Sequence, residues 1–148
     1  MVDELYGQML VAEKVIFNDE AKKHSISTVL NKLIVPTIPS VAIADVYMKI
    51  VIPRSKLDMI VGMKASLQVV NEAGILVNDK DLPDIMNYRE VDMIPGIDIS
   101  TNFRFLVLET GIYTYLLYVG ENVLASYTLN VVSEESILKG GEKNGGMP

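Results

Sequence analysis

The sequence predicts an all-β protein folded as a two-sheet antiparallel sandwich, and three observations support this fold class. Several short segments of apolar or alternating residues are separated by turn residues, and the chain has no internal repeat. Residues 103–108 and 113–132 are typical of three strands joined by tight turns. With 148 residues, of which 49% are hydrophobic and 22% charged, the chain is large enough to form one domain with its own core. Short strands at turn-marked spacing are typical of sandwiches.

Three strands are predicted in the first third of the chain, and they cover residues 9–17, 25–35 and 41–52. The first is rich in β-branched and apolar residues and ends at the turn residue Asn18, although its apolar positions also fit a helical period. The second ends at Pro36, because proline cannot donate to a central ladder. The third has alternating apolar residues and stops at Pro53.

The predicted elements of the middle are a strand at 63–70, its partner at 75–77, a polar loop at 78–87 and an edge strand at 91–99. Residues of the first of these alternate between apolar and polar side chains, which is typical of a half-buried strand. A turn containing Gly74 joins it to its partner, so the two are expected to form a hairpin. Pro95 interrupts the last segment and indicates a kink at the edge of a sheet.

A hairpin that turns at residues 120–122 closes the predicted domain, and alternate residues from Tyr113 onward share one apolar face. Glu109 and Gly111 stand just before Tyr113, in the pattern of the tyrosine corner of immunoglobulin-like sandwiches. In that corner a tyrosine hydroxyl bonds to backbone a few residues upstream. The pattern therefore predicts an immunoglobulin-like sandwich in which Tyr113 is the corner tyrosine and Tyr115 takes the place of the usual cysteine.

Three short motifs support a resemblance: a first strand AEKVIF at residues 12–17, a Val-Pro-x-x-Pro element at 35–39, and a Gly-x-Tyr strand with its hairpin at 111–132. In these motifs the chain resembles a family of uncharacterised bacterial β-sandwich proteins that carry a domain of unknown function. It departs from them in an extension before the first strand and in a Gly-rich tail. The family offers no activity to transfer, so the resemblance implies a fold and nothing functional.

Composition excludes several classes of function. The 19 acidic and 13 basic residues give a net charge of -6, which leaves no basic footprint for nucleic acid. The absence of cysteine excludes disulfides, thiolate zinc sites and cysteine nucleophiles, and it fits either redox compartment. The N-terminus carries acids where a secretory peptide is basic, and prolines and charges interrupt the apolar window at 33–52. We therefore expect a soluble cytoplasmic protein that contacts neither nucleic acid nor membrane.

The predicted domain organisation has three parts, namely an N-terminal extension at 1–8, the β-sandwich domain at 9–132 and a flexible tail at 133–148. The tail lacks apolar periodicity and is rich in glycine. We expect deletion of residues 140–148 to leave the melting temperature unchanged.

No motif for a cofactor or a catalytic metal is found in the sequence. His24 is the only histidine, and no Gly-x-Ser-x-Gly element accompanies it, so an exposed loop histidine is expected. Gly-rich phosphate loops are also missing. The best candidate for a hard cation is the loop with Asp79, Asp81 and Asp84, but these residues do not fit an EF-hand register. We weigh a solvated turn above a calcium site and predict no cofactor and no metal.

Apolar residues on the side opposite the core positions form a predicted outer stripe of Leu106, Leu108, Leu116, Tyr118 and Leu124. A sheet with one solvated face should be polar there, so the stripe needs a cover or a partner. One alternative is that the N-terminal segment or residues 78–87 cover it. The other is that the stripe binds a protein partner or a second copy in a symmetric homodimer.

The sequence thus predicts a non-enzymatic protein-interaction or self-assembly module whose protein-binding residues are those of the stripe. Two alternatives stay open. The first is a β-sandwich that binds a small ligand. The second is a carboxylate-based hydrolase, for which the candidate acids are Glu13, Asp45, Glu90 and Asp92.

Overall fold

The computed structural model describes residues 5–135, and these residues form nine strands, one 3-10 turn and one short helix. The strands are β1 Tyr6–Asn18, β2 Lys23–Val29, β3 Lys32–Val35, β4 Ser40–Val51, β5 Ala65–Val70, β6 Leu76–Leu82, β7 Gly96–Val107, β8 Gly111–Val119 and β9 Asn122–Ser133. The 3-10 turn Arg54–Lys56 and helix α1 Leu57–Ile60 lie between β4 and β5. Within the described range no helix has the length and apolar character needed to cross a membrane.

The strands form two sheets packed face to face as an immunoglobulin-like β-sandwich, which confirms the predicted fold class. One sheet has four strands in the order β2-β1-β4-β7, and the other has five in the order β3-β9-β8-β5-β6. Neighbouring strands are antiparallel except β3 and β9, which run parallel from the pair Lys32–Asn130 to the pair Val35–Ser133. A parallel pair needs a connection that crosses between the strands, and the long path from β3 to β9 supplies it.

Alternating residues of the central strands fill the space between the sheets. On β4 the buried residues run from Ala42 to Ile50 at every second position, and on β8 they run from Tyr113 to Val119 in the same way. Because successive side chains of a strand point to opposite faces, this pattern places one half of each strand in the core. The alternation predicted for the segment at 63–70 is confirmed, since β5 buries every second residue.

Two tyrosines of β8 differ in how their hydroxyl groups are satisfied. The hydroxyl of Tyr113 donates to the carbonyl oxygen of Glu109 at 2.7 Å, which confirms the predicted tyrosine corner. Tyr115 is fully buried and packs against Phe103 and Phe105. Its hydroxyl has no hydrogen-bond partner among the described residues, and burial raises the pKa of this phenol.

The prediction of one strand over residues 25–35 is wrong, because this segment forms β2 in one sheet and β3 in the other. Leu30 lies at the crossing between them. Its N–H donates to the carbonyl oxygen of Val11 at 2.8 Å, and its carbonyl oxygen accepts the hydroxyl of Tyr127 at 2.5 Å. No proline or glycine stands between β2 and β3 to mark this crossing in the sequence.

The polar loop predicted at 78–87 is wrong in its first half, where β6 continues to Leu82 and pairs with β5. The segments predicted at 91–99 and 103–108 also differ from the structure, because they join in the single strand β7. The edge position of this strand is as predicted. Its first residue is Gly96, where a Cβ atom would lie 2.2 Å from the carbonyl oxygen of Ile50, so only glycine allows this approach of the two backbones.

The observed domain is slightly longer at both ends than predicted. Leu5 is buried in the core and Tyr6 pairs with Val51, so part of the predicted extension at 1–8 belongs to the sandwich. Ser133 is buried and ends β9. Residues 136–148, which include most of the predicted flexible tail and the proposed deletion, lie outside the described residues.

Candidate functional site

The predicted outer stripe does not form one surface. Leu106 lies on β7 in the four-stranded sheet, and Leu108 directly follows that strand. Leu116 and Tyr118 lie on β8 in the five-stranded sheet. The outer faces of the two sheets point in opposite directions, so the two groups cannot share a partner surface. Parity along a strand separates core from outer positions, but it does not assign the strand to a sheet.

Leu124 was predicted on the outer side, and the structure turns it inward. The pairing of β8 with β9 shifts in register between Leu117 and Tyr118, which adds a bulge on β9. Leu124 is half-buried and packs against the core. A Cβ atom at Gly7 would lie 2.5 Å from its Cγ atom, so the contact between β1 and β9 depends on a glycine at this position.

The outer face of the five-stranded sheet is mostly polar around the two remaining stripe residues. Leu116 is half-buried and stands between Gln68 on β5 and Ser126 on β9. The hydroxyl groups of Thr114 and Thr128 lie 3.1 Å apart within hydrogen-bond reach. This part of the face is compatible with solvent, while Ile34 and Ile112 are exposed elsewhere on the same sheet.

The outer face of the four-stranded sheet carries an exposed apolar patch, which we name the sheet patch. Its members are Val41, Ile43, Leu106 and Leu108, which are 48%, 49%, 50% and 66% exposed. Val41 stands directly opposite Leu106 in the pairing of β4 with β7, and Ile43 stands opposite Arg104. The Arg104 side chain is exposed and forms no ion pair with any described residue. The patch thus joins apolar side chains to an exposed guanidinium group.

The other end of the same face is covered by the hairpin of β1 and β2. The pairing of β1 with β4 ends at the pair Ala12–Asp45, and the N–H of Val15 then donates to the Asp45 carboxylate at 2.8 Å. From there the hairpin lies over the sheet. The rings of His24 and Tyr47 are 5.1 Å apart between centroids.

His24 is half-buried in β2, so the prediction of an exposed loop histidine is wrong. Its ring also contacts Phe17, at 4.8 Å between centroids. Desolvation lowers the pKa of His24, and the nearby carboxylate of Asp98 opposes this effect. A sequence signal existed, because a tight turn after Asn18 pairs Phe17 with His24 across the hairpin.

Tyr47, Asp98 and Arg89 form a hydrogen-bonded chain beside this stack. The Tyr47 hydroxyl donates to Asp98 Oδ1 at 2.8 Å, and the Arg89 guanidinium donates to the same atom at 3.1 Å. Desolvation raises the pKa of the Tyr47 phenol, and the hydrogen bond to Asp98 adds to this rise. No sequence motif predicted this chain, because its members are far apart in the sequence.

A groove with two arms runs between the hairpin and the connection from β6 to β7. Both arms are lined by Phe17, His24, Tyr88 and Asp98. The first arm has a volume of about 340 Å³, and its remaining lining residues are Pro83, Ile97, Ile99 and Ser100. The second has a volume of about 220 Å³, and its remaining lining residues are Lys22, Arg89, Glu90 and Met93. The groove therefore offers an apolar arm and a charged arm that meet at aromatic side chains.

The groove brings Ser100, His24 and Asp98 together, but they lack the geometry of a catalytic triad. A triad needs a hydrogen bond from nucleophile to histidine and another from histidine to acid. No hydrogen bond joins His24 to either residue in the described part of the chain. The Asp98 Oδ1 atom instead accepts from Tyr47 and Arg89.

The acidic residues considered from the sequence are spread over the surface. Asp79 and Asp81 lie on β6 opposite Gln68 and Ser66, whereas Asp84 forms an ion pair with Lys64 at 3.0 Å. Across residues 5–135 no group of three or more His, Cys, Asp or Glu side chains could hold a metal ion.

The four carboxylates proposed for a hydrolase also lie on separate elements. Asp45 Oδ1 accepts from Asn102 at 2.9 Å and Asp45 Oδ2 accepts from the Val15 N–H, so both of its oxygen atoms hold structural contacts. Glu13 is exposed on β1, and Glu90 and Asp92 are exposed in the connection before β7.

Comparisons with known proteins give a likeness in fold alone. No family model matches the chain, and no curated protein matches its sequence. A solved structure of the CARDB domain of a Pyrococcus furiosus protein, in complex with di-metal ions, is similar at a TM-score of 0.46 and 15% identity over 88% of this chain and 94% of that chain. An immunoglobulin-like protein from Pseudomonas aeruginosa is similar at a TM-score of 0.44 and 11% identity over 87% and 97% of the two chains. A β-glucosidase from Listeria innocua is similar at a TM-score of 0.40 and 8% identity over 86% of this chain and 16% of that chain.

Proposed function

We propose that this chain is a non-enzymatic protein-interaction module that pairs with a second copy of itself through the sheet patch. The observation that carries the proposal is a group of four large apolar side chains, each about half exposed or more, of which three lie on the outer face of the four-stranded sheet and Leu108 directly follows β7. Contiguous apolar surface of this kind on a soluble protein marks an interaction site more often than isolated apolar residues do.

Burial of the sheet patch against a second copy is energetically favoured over its exposure to water. Burying a large apolar side chain completely is worth roughly 1.5 to 3 kcal/mol, so half-exposed side chains retain part of that gain for a partner. Three of these residues lie on the adjoining strands β4 and β7, and Leu108 directly follows β7. A self-complementary patch of this type forms a closed dimer about a two-fold axis, in which each copy buries its patch against the patch of the other.

The charges around the patch are complementary to a second copy. Arg104 lies on one side of Leu106 along the chain, and Glu109 lies on the other. Both side chains are exposed. A two-fold axis close to Leu106 brings Arg104 of one copy near Glu109 of the other, because the strands then run in opposite directions. An arginine among apolar residues is also typical of residues that contribute strongly to binding.

Sedimentation equilibrium over a range of concentrations tests this proposal. The wild-type chain is expected to form dimers, whereas a variant with Ile43→Glu and Leu106→Glu is expected to stay monomeric because it places charges in the apolar contact. Both positions are exposed, so the variant should fold, and circular dichroism would check this. Ile112→Glu is the matched control, since Ile112 is similarly exposed on the outer face of the five-stranded sheet.

A wild-type chain that sediments as a monomer at every concentration would contradict pairing through the sheet patch. Loss of dimers in the Ile112→Glu control would contradict the choice of sheet. A charge-reversal pair sharpens the result, because Arg104→Glu and Glu109→Arg should each weaken the dimer while the double variant restores it.

We also propose that the protein is cytoplasmic, as expected from the sequence, and that it has no enzymatic activity. Membership in the family of uncharacterised bacterial β-sandwich proteins stays a prediction, which rests on the three short sequence motifs.

A further inference from the structure

The free edge of β7 points main-chain groups away from β4 at every second residue. In an antiparallel pair each residue directs both its N–H and its C=O either toward the neighbouring strand or away from it. Gly96 points away, because its N–H donates to Asn87 Oδ1 and its C=O accepts from the N–H of Tyr88, both at 3.1 Å. The C=O of Arg104 also points away and accepts from Asn78 Nδ2 at 2.6 Å. The unbroken register with β4 gives the even-numbered residues between them the same orientation.

The chain itself covers this edge at both ends and leaves the middle open. At one end the contacts of Gly96 act as a short stretch of added strand. At the other end the carbonyl oxygens of Asn102 and Arg104 accept side-chain bonds, from Thr101 Oγ1 at 3.4 Å and from Asn78 Nδ2 at 2.6 Å. Between them, the N–H and C=O groups of Asp98 and Ser100 have no hydrogen-bond partner among the described residues. Two residues therefore present four free main-chain groups in the spacing of a β-ladder.

The open part of the edge coincides with the groove. Four consecutive residues of β7, from Ile97 to Ser100, line its first arm. Successive side chains point to opposite faces of a strand, so a cavity lined by four in a row runs along the main chain. The exposed rings of Phe17 and Tyr88 line the same cavity.

We propose that this groove binds an extended peptide segment of a partner protein, which adds to β7 as a further strand through the main chain of Asp98 and Ser100. An apolar side chain of the peptide enters the arm lined by Pro83, Ile97 and Ile99. Addition of a strand to an open sheet edge is an established mode of peptide recognition, in which main-chain bonds give affinity and side-chain pockets give specificity.

The charge pattern of the groove favours a main chain over a charged ligand. Free N–H donors and C=O acceptors alternate along the edge, and an extended peptide offers the complementary alternation. Lys22 and Glu90 place opposite charges in the second arm. The Asp98 carboxylate is already paired with Arg89. The opposite charges that line the groove are therefore balanced, and we expect its ligand to carry no net charge where it binds.

A single strand fits this edge better than the sheet of a second copy. Aromatic side chains from the hairpin and from the connection before β7 form the cavity around the edge. A whole sheet edge would have to displace them, whereas one extended segment can lie between them. This site is separate from the sheet patch, so the inference goes beyond the proposed function.

A phage-displayed library of random peptides, selected on the full chain, provides the probe. We expect enriched peptides with an apolar residue, and titration calorimetry of one synthetic enriched peptide would measure its affinity. Ser100→Pro should weaken binding about tenfold, because it removes a donor that the fold itself does not use. Proline is tolerated at such edge positions. Ser100→Val is the matched comparison at the same position, since it changes the side chain but keeps the N–H, and it should weaken binding clearly less than Ser100→Pro does.

Peptides methylated at single main-chain nitrogens give a second, independent measurement. Strand addition predicts that methylation weakens binding at alternate positions only. Equal binding by every methylated peptide, or by the folded Ser100→Pro variant, would overturn the proposal. Failure of the library to enrich on the wild type above Ser100→Pro would also overturn it. A peptide that is lost with Ile43→Glu and Leu106→Glu but kept with Ser100→Pro would place peptide binding on the sheet patch instead.

Discussion

The outer faces of the two sheets differ in how they meet solvent. Around Leu116 and Tyr118 the five-stranded sheet presents polar side chains, whereas Ile34 and Ile112 are exposed elsewhere on its outer face. The four-stranded sheet has no such polar surface at its two ends. Its own hairpin covers one end through the ring of Tyr47, and the sheet patch leaves the other end apolar and bare. Both sites proposed above involve the four-stranded sheet, namely the sheet patch on β4 and β7 and the groove along β7.

An apolar residue predicted on the outer side of a strand can therefore have one of three environments in the folded chain. It can be half-buried by polar neighbours in its own sheet, as Leu116 is. It can be turned inward by a bulge, as Leu124 is. It can also remain exposed beside similar residues, as Leu106 does. Only the third case makes a candidate interface, and only the register between strands separates the three.

The largest expected effect tests the covered end of the four-stranded sheet. Replacing Tyr47→Ala removes the ring contact with His24 and the hydrogen bond to Asp98, so the free energy of unfolding should fall by about 2 to 3 kcal/mol. Tyr118→Ala on the other sheet should cost only about 1 kcal/mol or less, because its surroundings are polar. Urea denaturation of both variants measures the difference. Equal losses would remove the contrast between the two faces.

The next effect concerns the inner layer that both sheets share. Tyr113→Phe should lower the free energy of unfolding by about 1 kcal/mol, because it deletes the hydrogen bond to Glu109. Tyr115→Phe should raise it by about 1 kcal/mol, because it removes a buried hydroxyl that lacks a partner. Opposite shifts in the urea midpoint are the expected result. A loss of stability for Tyr115→Phe would reveal a partner for that hydroxyl.

The smallest expected effect is the pH dependence that His24 adds. Its pKa is lower in the folded chain than in the unfolded chain, so the unfolded chain binds the extra proton first as the pH falls. The contribution to stability is therefore complete above about pH 6.5, the unfolded value, and is lost as the pH falls from there through the folded pKa. Thermal melts of wild type and His24→Gln between neutral and mildly acid pH measure the effect.

The two chains should lose stability at different rates in that window, with the wild type more sensitive to acid. Parallel loss would show that the histidine ring is not desolvated by the hairpin. Both chains contain the same other charged groups around His24, so the contributions of those groups to the pH dependence of stability cancel in the difference between the two sets of melts. These groups line the groove and are Lys22, Arg89, Glu90 and Asp98.

Local features of the fold could be predicted from the sequence, and long-range features could not. The corner at Tyr113 was predictable because its partner Glu109 is four residues away. The hairpins were predictable from glycine turns and alternation. The split of residues 25–35 between two sheets was not, since no proline or glycine marks the crossing at Leu30 and Asn31. The groove was not predictable either, because it joins Phe17 and Tyr88 from distant parts of the chain.

The pairing of β4 with β7 also sets the order in which the surfaces can form. Hairpins such as β8 with β9 close short loops, whereas Val51 and Gly96, the nearest pair of β4 and β7, must meet across the whole of β5 and β6. Closing a long loop costs more entropy and slows folding, so this pairing is expected to come late. The sheet patch and the groove both depend on it. A chain still emerging from the ribosome therefore exposes neither binding surface until β7 has been synthesised and docked, which delays association until the sandwich is nearly complete.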